Sequence, residues 1–112
     1  ASAIMVSNHG GRQLDGSCSP FDQLSDIVDA VGDKIDVICD GGIRRGSHIL
    51  KALSVGAKAC SGGRMYLYAL AAAGEAGVER AMSLLQEEIE RNMKLMGCKS
   101  VRDLSRHNLK FR

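Results

Sequence analysis

The sequence predicts an α/β fold built on a parallel sheet, because short apolar runs alternate with segments of helical spacing. Three runs have the character of buried strands: Ala1–Val6, Ile35–Cys39 and Ala57–Cys60. Each is mainly apolar, as expected of parallel strands covered on both faces, and each is followed by a polar loop rich in glycine. Strands that alternate with helices at this spacing indicate consecutive βα units. The pattern alone leaves a doubly wound domain and a piece of a barrel equally open.

The segments after the first two runs carry helix signals. Phe21–Val31 has apolar residues at helical spacing, follows Pro20 and stops before Gly32. Proline favours the first turn of a helix, and glycine favours its end. Ser47 is expected to cap a second helix, which would end at Gly56.

Two further helical segments, Met65–Ala73 and Val78–Met96, are predicted after the third run. The longer one places five apolar residues on one face, with Glu and Arg on the other. These apolar residues are Met82, Leu85, Ile89, Met93 and Met96. The tail, Cys98–Arg112, is basic and weakly patterned.

Composition excludes several classes of function. Of the 112 residues, 45% are hydrophobic and 25% charged, and the net charge of +2 is too small to indicate a nucleic-acid partner. The apolar stretches fall far short of the roughly 20 residues that a membrane span requires, and no signal peptide is recognisable. The chain lacks an initiator Met and opens in an apolar run, which favours a boundary inside a longer protein.

The four cysteines form no Cys-x-x-Cys pair, which argues against a zinc site or a thioredoxin motif, and no metal site is predicted. They are Cys18, Cys39, Cys60 and Cys98. Cys39 and Cys60 lie in apolar runs, so we interpret them as buried thiols of a protein from a reducing cytosol.

Two successive loops combine glycine with arginine. Residues 40–46 read Asp-Gly-Gly-Ile-Arg-Arg-Gly, and residues 61–64 read Ser-Gly-Gly-Arg. Glycine allows close backbone approach to an anion, the helix that follows adds free N–H groups, and arginine adds a forked cation. The pair predicts one phosphate site, as many barrels form after strands seven and eight. The alternative is that the glycines make tight turns and the arginines face water.

The loop after the first run, residues 7–16, carries a candidate base and a candidate carboxylate clamp. His9 can exchange a proton near neutral pH. Arg12, three residues later, can hold a carboxylate with both arms of its guanidinium. A base beside such a clamp suits a small hydroxy or keto acid, although two solvated side chains are the commoner explanation of such a pair.

Four motifs in this order resemble the FMN-dependent 2-hydroxy acid dehydrogenase and oxidase family, which includes L-lactate dehydrogenases, glycolate oxidases and mandelate dehydrogenases. They are Ser-Asn-His-Gly-Gly-Arg-Gln-Leu-Asp-Gly from residue 7, Asp-Gly-Gly-Ile-Arg-Arg-Gly-Ser from residue 40, Lys-Ala-Leu-Ser-Val-Gly-Ala from residue 51 and Gly-Arg from residue 63. The resemblance runs from Ile4 to about Leu104. It implies that residues 1–112 are the C-terminal part of a TIM (β/α)8 barrel, with about three βα units plus a C-terminal helix.

The resemblance also implies roles for individual residues. His9 matches the family's catalytic base, and Arg12 matches the residue that binds the substrate carboxylate. The positions that match the family's FMN-binding residues form two groups. The first comprises Asp40, Gly41, Gly42 and Arg44, and the second comprises Gly63 and Arg64.

By the same resemblance, the complete enzyme would oxidise a small L-2-hydroxy acid by hydride-type transfer to the flavin N5. L-lactate and pyruvate are the expected substrate and product. The electron acceptor would be a quinone, a cytochrome or oxygen, and the enzyme would be a homo-oligomer without a membrane span. Its expected location is the cytoplasm, including the inner face of the cell membrane.

A typical barrel needs about 250 residues, so these 112 residues are expected to be inactive alone. Two other interpretations stay open. One is a non-catalytic half-barrel that binds phosphate or FMN, or a truncated gene remnant. The other is a different phosphate-binding barrel, similar to inosine monophosphate dehydrogenase, against which the pairing of His9 with Arg12 argues.

Three residues depart from the family pattern. Cys18 stands where proline is usual, Gly62 where an aliphatic residue is usual, and His48 where an Asp is common in the first turn of a helix. An Asp there would interact favourably with the helix dipole. We expect His48 to be a surface residue rather than a ligand.

Overall fold

A computed structural model describes residues 1–111. Three strands alternate with three helices in the order β1 (Ala3–Val6), α1 (Pro20–Val31), β2 (Asp36–Asp40), α2 (Gly46–Val55), β3 (Ala59–Ser61) and α3 (Arg64–Met96). Single turns of 3-10 helix lie at His9–Gly11, Val101–Asp103 and Arg106–Asn108. Within the described residues, no helix has both the length and the apolar character needed to cross a bilayer.

The three strands form one parallel sheet in the order β1-β2-β3. Val6 pairs with Cys39, and Asp40 pairs with Ser61, so the carboxyl ends of the strands lie at one edge of the sheet. Neighbouring parallel strands joined by helices are the arrangement that the sequence predicts, and the α/β fold is therefore confirmed.

The strands begin later than the apolar runs that predict them. The Ile35 N–H donates to the carbonyl of Val31, and the Ala57 N–H donates to the carbonyl of Ala52. Both residues therefore belong to the turns that close α1 and α2, although their side chains are apolar. Hydrophobicity alone does not separate the last turn residue from the first strand residue.

One side of the sheet packs against α1 and α2 and forms the core. Leu24 of α1 and Cys39 of β2 are fully buried. Burial of an aliphatic side chain of this size contributes about 1.5–3 kcal/mol, so this layer holds the three βα units together. The core cluster consists of Val6, Leu24, Val37, Cys39, Ala52, Val55 and Ala57.

All four cysteines are free thiols; of the two that the sequence predicts to be buried, Cys39 is fully buried and Cys60 is partly buried. Cys39 and Cys60 are partners in the register of β2 and β3. Burial raises the pKa of both thiols, that of Cys60 to about 12, and the neighbouring Cys39 adds to the effect on Cys60. A thiol that stays protonated is a poor nucleophile, so these two residues are packing groups.

Helix α2 begins without the serine cap that the sequence predicts. Ser47 lies inside the helix, and Arg45 occupies the N-cap position without a side-chain cap. Glu88 of α3 supplies the missing acceptor, because its Oε2 atom accepts the Gly46 N–H at 2.7 Å. This hydrogen bond is the largest cause that lowers the pKa of Glu88 below its ordinary value. A residue from another helix has therefore replaced the local cap.

Helices α2 and α3 cross closely at Gly46. A Cβ atom at this position would lie 2.7 Å from the Cβ of Glu88 and 2.8 Å from the backbone nitrogen of Ile89. Real Cβ atoms do not tolerate such distances, so the crossing depends on the absence of a side chain.

Helix α3 contains both of the predicted C-terminal helices. They are separated only by non-helical backbone at Ala73 and Gly74. The predicted apolar face is partly wrong: Leu85 is buried and Ile89 and Met93 are half-buried, whereas Met82 is 52% exposed and Met96 is 39% exposed. Only the part of the face that packs on α2 is covered.

The tail is held by Arg106, at the ends of α1 and α2. Its guanidinium pairs with Asp29 at 2.6 Å and donates to the carbonyls of Ser25 and Val55. The hydrogen bond from Arg106 is the main cause that lowers the pKa of Asp29. The tail is therefore attached to α1 and α2 by specific contacts of Arg106, although its sequence shows only a weak pattern.

We expect Gly46→Ala to lower the free energy of unfolding of the complete protein by about 1–3 kcal/mol, because the added methyl group overpacks the crossing of α2 and α3. Urea denaturation measures this change. Gly16→Ala is the matched control, since a Cβ at Gly16 meets no atom within 4 Å. Equal stability of the two variants would contradict the close crossing.

Candidate functional site

The loops that follow the three strands surround one cavity at the carboxyl edge of the sheet. Its volume is about 590 Å³. All eight residues that the sequence analysis singles out line it: His9, Arg12, Asp40, Gly41, Gly42, Arg44, Gly63 and Arg64. Parallel pairing has therefore brought residues from three separate loops to one place.

The backbone of the first loop is left-handed at three consecutive residues. The φ angles are +54° at His9, +70° at Gly10 and +75° at Gly11. A positive φ is uncommon for a residue other than glycine and persists only when neighbouring contacts hold it. Two such contacts are present: Ser7 Oγ accepts the His9 N–H at 3.0 Å, and Arg64 donates to the carbonyl of Gly10 at 2.7 Å.

Asp40 connects the second loop to the first. Its Oδ2 atom accepts the hydroxyl of Ser7 at 2.6 Å, and the same Ser7 oxygen accepts the amide of His9. A carboxylate repels a nearby phosphate. Asp40 is therefore suited to accept hydrogen bonds from hydroxyl groups and to hold the loop, rather than to contact a phosphate directly.

Arg64 reaches across from the third loop to the first. Because its Nη2 atom bonds to the Gly10 carbonyl, a Cβ at Gly10 would lie only 2.7 Å from that nitrogen. Glycine is thus required both for the φ angle and for the close approach of the guanidinium. The side chain joins the cavity wall to the loop that carries His9.

The two consecutive arginines of the second loop point to different partners. Arg44 lines the cavity. Arg45 pairs with Glu88 of α3, with 2.7 Å between Nε and Oε1. The sequence does not tell these two residues apart by their spacing, and the contact with α3 does.

His48, which the sequence predicts to lie at the surface, is also tied to the second loop. It is half-buried, and its Nδ1 atom lies 3.3 Å from the amide nitrogen of Arg44 and 3.2 Å from the carbonyl oxygen of Gly42. According to its tautomer, the ring accepts from the first group or donates to the second. It also lines, with Lys51, a neighbouring cavity of about 420 Å³.

Ser7 and Glu88 are contacts of the site that the sequence analysis does not identify. Ser7 carries a weak signal, because a polar residue directly after a buried strand lies at the functional edge of a parallel sheet. The sequence carries no signal for Glu88, because Ser47 has the chemistry of a cap, and only the structure shows that Arg45 occupies the N-cap position.

Comparison with known proteins identifies relatives over the whole described chain. Residues 1–111 match the family model of the FMN-dependent dehydrogenases. An L-lactate oxidase from Nostoc sp. is 53% identical over 104 residues, which cover 93% of this chain and 28% of that protein. The 2-hydroxyacid oxidase 2 of Homo sapiens is 46% identical over 108 residues, which cover 96% of this chain and 31% of that protein.

A solved structure of a related protein also matches the chain. A soluble mutant of the membrane-associated (S)-mandelate dehydrogenase from Pseudomonas putida aligns with a TM-score of 0.95 and 44% identity, over 100% of this chain and 32% of that one. The chain therefore spans about 30% of the length of these relatives. Its three βα units correspond to part of a TIM barrel, which decides against a doubly wound domain. The chain belongs to the FMN-dependent dehydrogenase family.

Proposed function

We propose that the complete protein uses FMN to oxidise a small L-2-hydroxy acid, and that this chain supplies the base, a carboxylate clamp and the site for the flavin phosphate. The observation that carries the proposal is the cavity of about 590 Å³, where one histidine and three arginines meet glycine-rich loops. A base, a cation for a carboxylate and donors for a phosphate are the groups that this reaction needs in one place.

The second and third loops fit a phosphate. Arg44 and Arg64 supply permanent cations with forked N–H donors. A Cβ at Gly42 or at Gly63 would meet no atom within 4 Å, so a ligand has access to the backbone there. Helix α3 begins at Arg64, and the first N–H groups of a helix lack partners within it. Asp40 suits the hydroxyl groups of the ribityl chain.

FMN, when bound, supplies an acceptor for two electrons at its N5 atom. Arg12 holds the carboxylate of the hydroxy acid with parallel N–H donors and thereby fixes the orientation of the substrate. His9 takes up the proton of the substrate hydroxyl as the carbon beside it is oxidised. The bonds from Ser7 and Arg64 to the loop keep His9 in its left-handed conformation and so define the position of the base.

L-lactate is the substrate that we propose, and pyruvate the product. The relative that is 53% identical is an L-lactate oxidase. Two short sequences in α3 and after it, Ala-Ala-Ala-Gly-Glu-Ala-Gly-Val and Leu-Met-Gly-Cys, also resemble the lactate branch of the family. The proposal extends to a cytoplasmic homo-oligomer that passes its electrons to a quinone, a cytochrome or oxygen.

We further propose that residues 1–112 form the C-terminal part of one barrel domain. The first half of α3 supports this, because it exposes a run of large apolar side chains, of which Tyr68 is 68% exposed. The other members of the run are Tyr66, Leu67 and Leu70. The remaining strands and helices of a barrel would cover this surface and pair the outer edges of β1 and β3.

Arg64→Ala should weaken FMN binding to the complete protein by about 10- to 150-fold, since a charge-assisted hydrogen bond contributes about 1.5–3 kcal/mol. Equilibrium titration of the apoprotein with FMN measures the change. Arg80→Ala removes the same charge from the exposed surface of α3 and should leave the affinity unchanged. An Arg64→Ala variant that retains all of its FMN through dialysis would exclude Arg64 as a phosphate ligand.

His9→Gln removes the base but keeps a side chain of similar size. We expect substrate to bind and the flavin to be reduced about 100-fold more slowly, because proton transfer loses its acceptor. Anaerobic stopped-flow absorbance with L-lactate follows flavin reduction directly, and His107→Gln in the exposed tail is the control. Reduction of His9→Gln at the parent rate would mean that the base lies elsewhere.

Arg12→Lys keeps the positive charge but loses the planar guanidinium, which can donate two parallel hydrogen bonds to one carboxylate. KM should rise by about tenfold and kcat should also fall, because a carboxylate held by one donor leaves the reacting carbon misaligned. Steady-state kinetics with L-lactate separate the two constants, with Arg80→Lys as the control. Unchanged values of both constants would remove Arg12 from the substrate site.

A further inference from the structure

Glu88 of α3 forms a two-armed contact with the end of the second loop. One carboxylate oxygen accepts from Arg45 Nε at 2.7 Å, and the other accepts from the amide of Gly46 at 2.7 Å. The side chain of Glu88 is 20% exposed and that of Arg45 is 66% exposed, so the arm to Arg45 is a surface ion pair, whereas the arm to the Gly46 amide is partly buried. The contact joins the residue that ends the loop to the residue that begins α2.

At this end, two side chains hold the loop between β2 and α2: His48, whose Nδ1 atom lies 3.3 Å from the Arg44 amide nitrogen and 3.2 Å from the Gly42 carbonyl oxygen, and Glu88, which accepts from Arg45 and Gly46. Gly41 and Gly42 adopt φ angles of +109° and +74°, and a Cβ at Gly42 would touch nothing. At the other end of the loop, Asp40 is fixed by the pairing of β2 and by Ser7. Glu88 holds Arg45 and Gly46, the two residues through which the chain enters α2.

The direction of the chain at this point decides which arginine reaches the cavity. Arg45 has an extended backbone, with φ −135° and ψ 151°, and consecutive side chains of an extended chain point to opposite sides. When Glu88 holds Arg45 against α3, Arg44 is directed to the other side, where it lines the cavity.

We propose that Glu88 is a positioning residue for the flavin phosphate: by holding Arg45 and Gly46, it sets the glycine loop and Arg44 in the arrangement that binds the phosphate. This inference rests on the proposed function. Glu88 itself does not line the cavity. Its effect passes through the loop.

Two other roles of Glu88 predict different results. If Glu88 only fastened α2 to α3, its loss would lower the melting temperature and leave the preference for a phosphate unchanged. If it acted only as a negative charge near the site, its removal would strengthen the binding of an anion. The positioning role alone predicts a weaker interaction with the phosphate.

The comparison of FMN with riboflavin, which lacks the phosphate, isolates this interaction. The complete protein is prepared without flavin, and the dissociation constants of both flavins are measured by fluorescence titration for the parent, Glu88→Ala, Glu88→Gln and Glu87→Gln. Glu87→Gln is the matched control, because this substitution removes the charge of the neighbouring residue, whose carboxylate lies 3.4 Å from Arg80.

We expect Glu88→Ala to lower the ratio of FMN affinity to riboflavin affinity by about tenfold, and Glu88→Gln, which keeps one acceptor, by about threefold. Glu87→Gln should leave the ratio unchanged. A ratio that is unchanged or raised in both Glu88 variants overturns the inference, and Glu88→Gln decides alone if the alanine variant does not fold. Arg64→Ala is the reference: if it too leaves the ratio unchanged, the phosphate site of the proposed function is wrong as well.

Discussion

Parallel pairing of β1, β2 and β3 brings three loops to one edge of the sheet, and every contact of the candidate site depends on it. The register of the sheet fixes where each loop begins, because Val6 pairs with Cys39 and Asp40 pairs with Ser61. A shift by one residue would turn every strand side chain to the other face. The core layer between the sheet and the two helices therefore maintains the register, and the register maintains the cavity.

The second constraint is the close contact between α2 and α3. Gly46 allows the two backbones to approach, and Glu88 uses this proximity to bond with the start of α2. Packing and polar contacts are thus combined in one place. The hydrogen bond from the Gly46 amide is the largest cause that lowers the pKa of Glu88, which means that the fold stabilises the ionised form of this carboxylate.

Much of the fold can be predicted from the sequence, because its signals are local. Apolar runs, glycine-rich loops and helical spacing identify the three βα units, and the eight predicted site residues do line one cavity. The predictions that are wrong concern features that depend on contacts between residues far apart in the sequence. Ser47 has the chemistry of a cap, but Glu88 occupies that role from 42 residues away. Met82 and Met96 share a face with Leu85, but α2 covers only part of that face.

The bond between Arg64 and the carbonyl of Gly10 has an evolutionary consequence. A guanidinium carries more N–H donors than the one spent on this carbonyl, so the same side chain can hold an anion and the loop of His9 at once. A mutation at position 64 would then alter the loop that carries His9 as well as the wall of the cavity. Gly10 is constrained in the same way, because a side chain at that position would collide with the Arg64 guanidinium. The two positions are expected to change together, or not at all, among descendants of this chain.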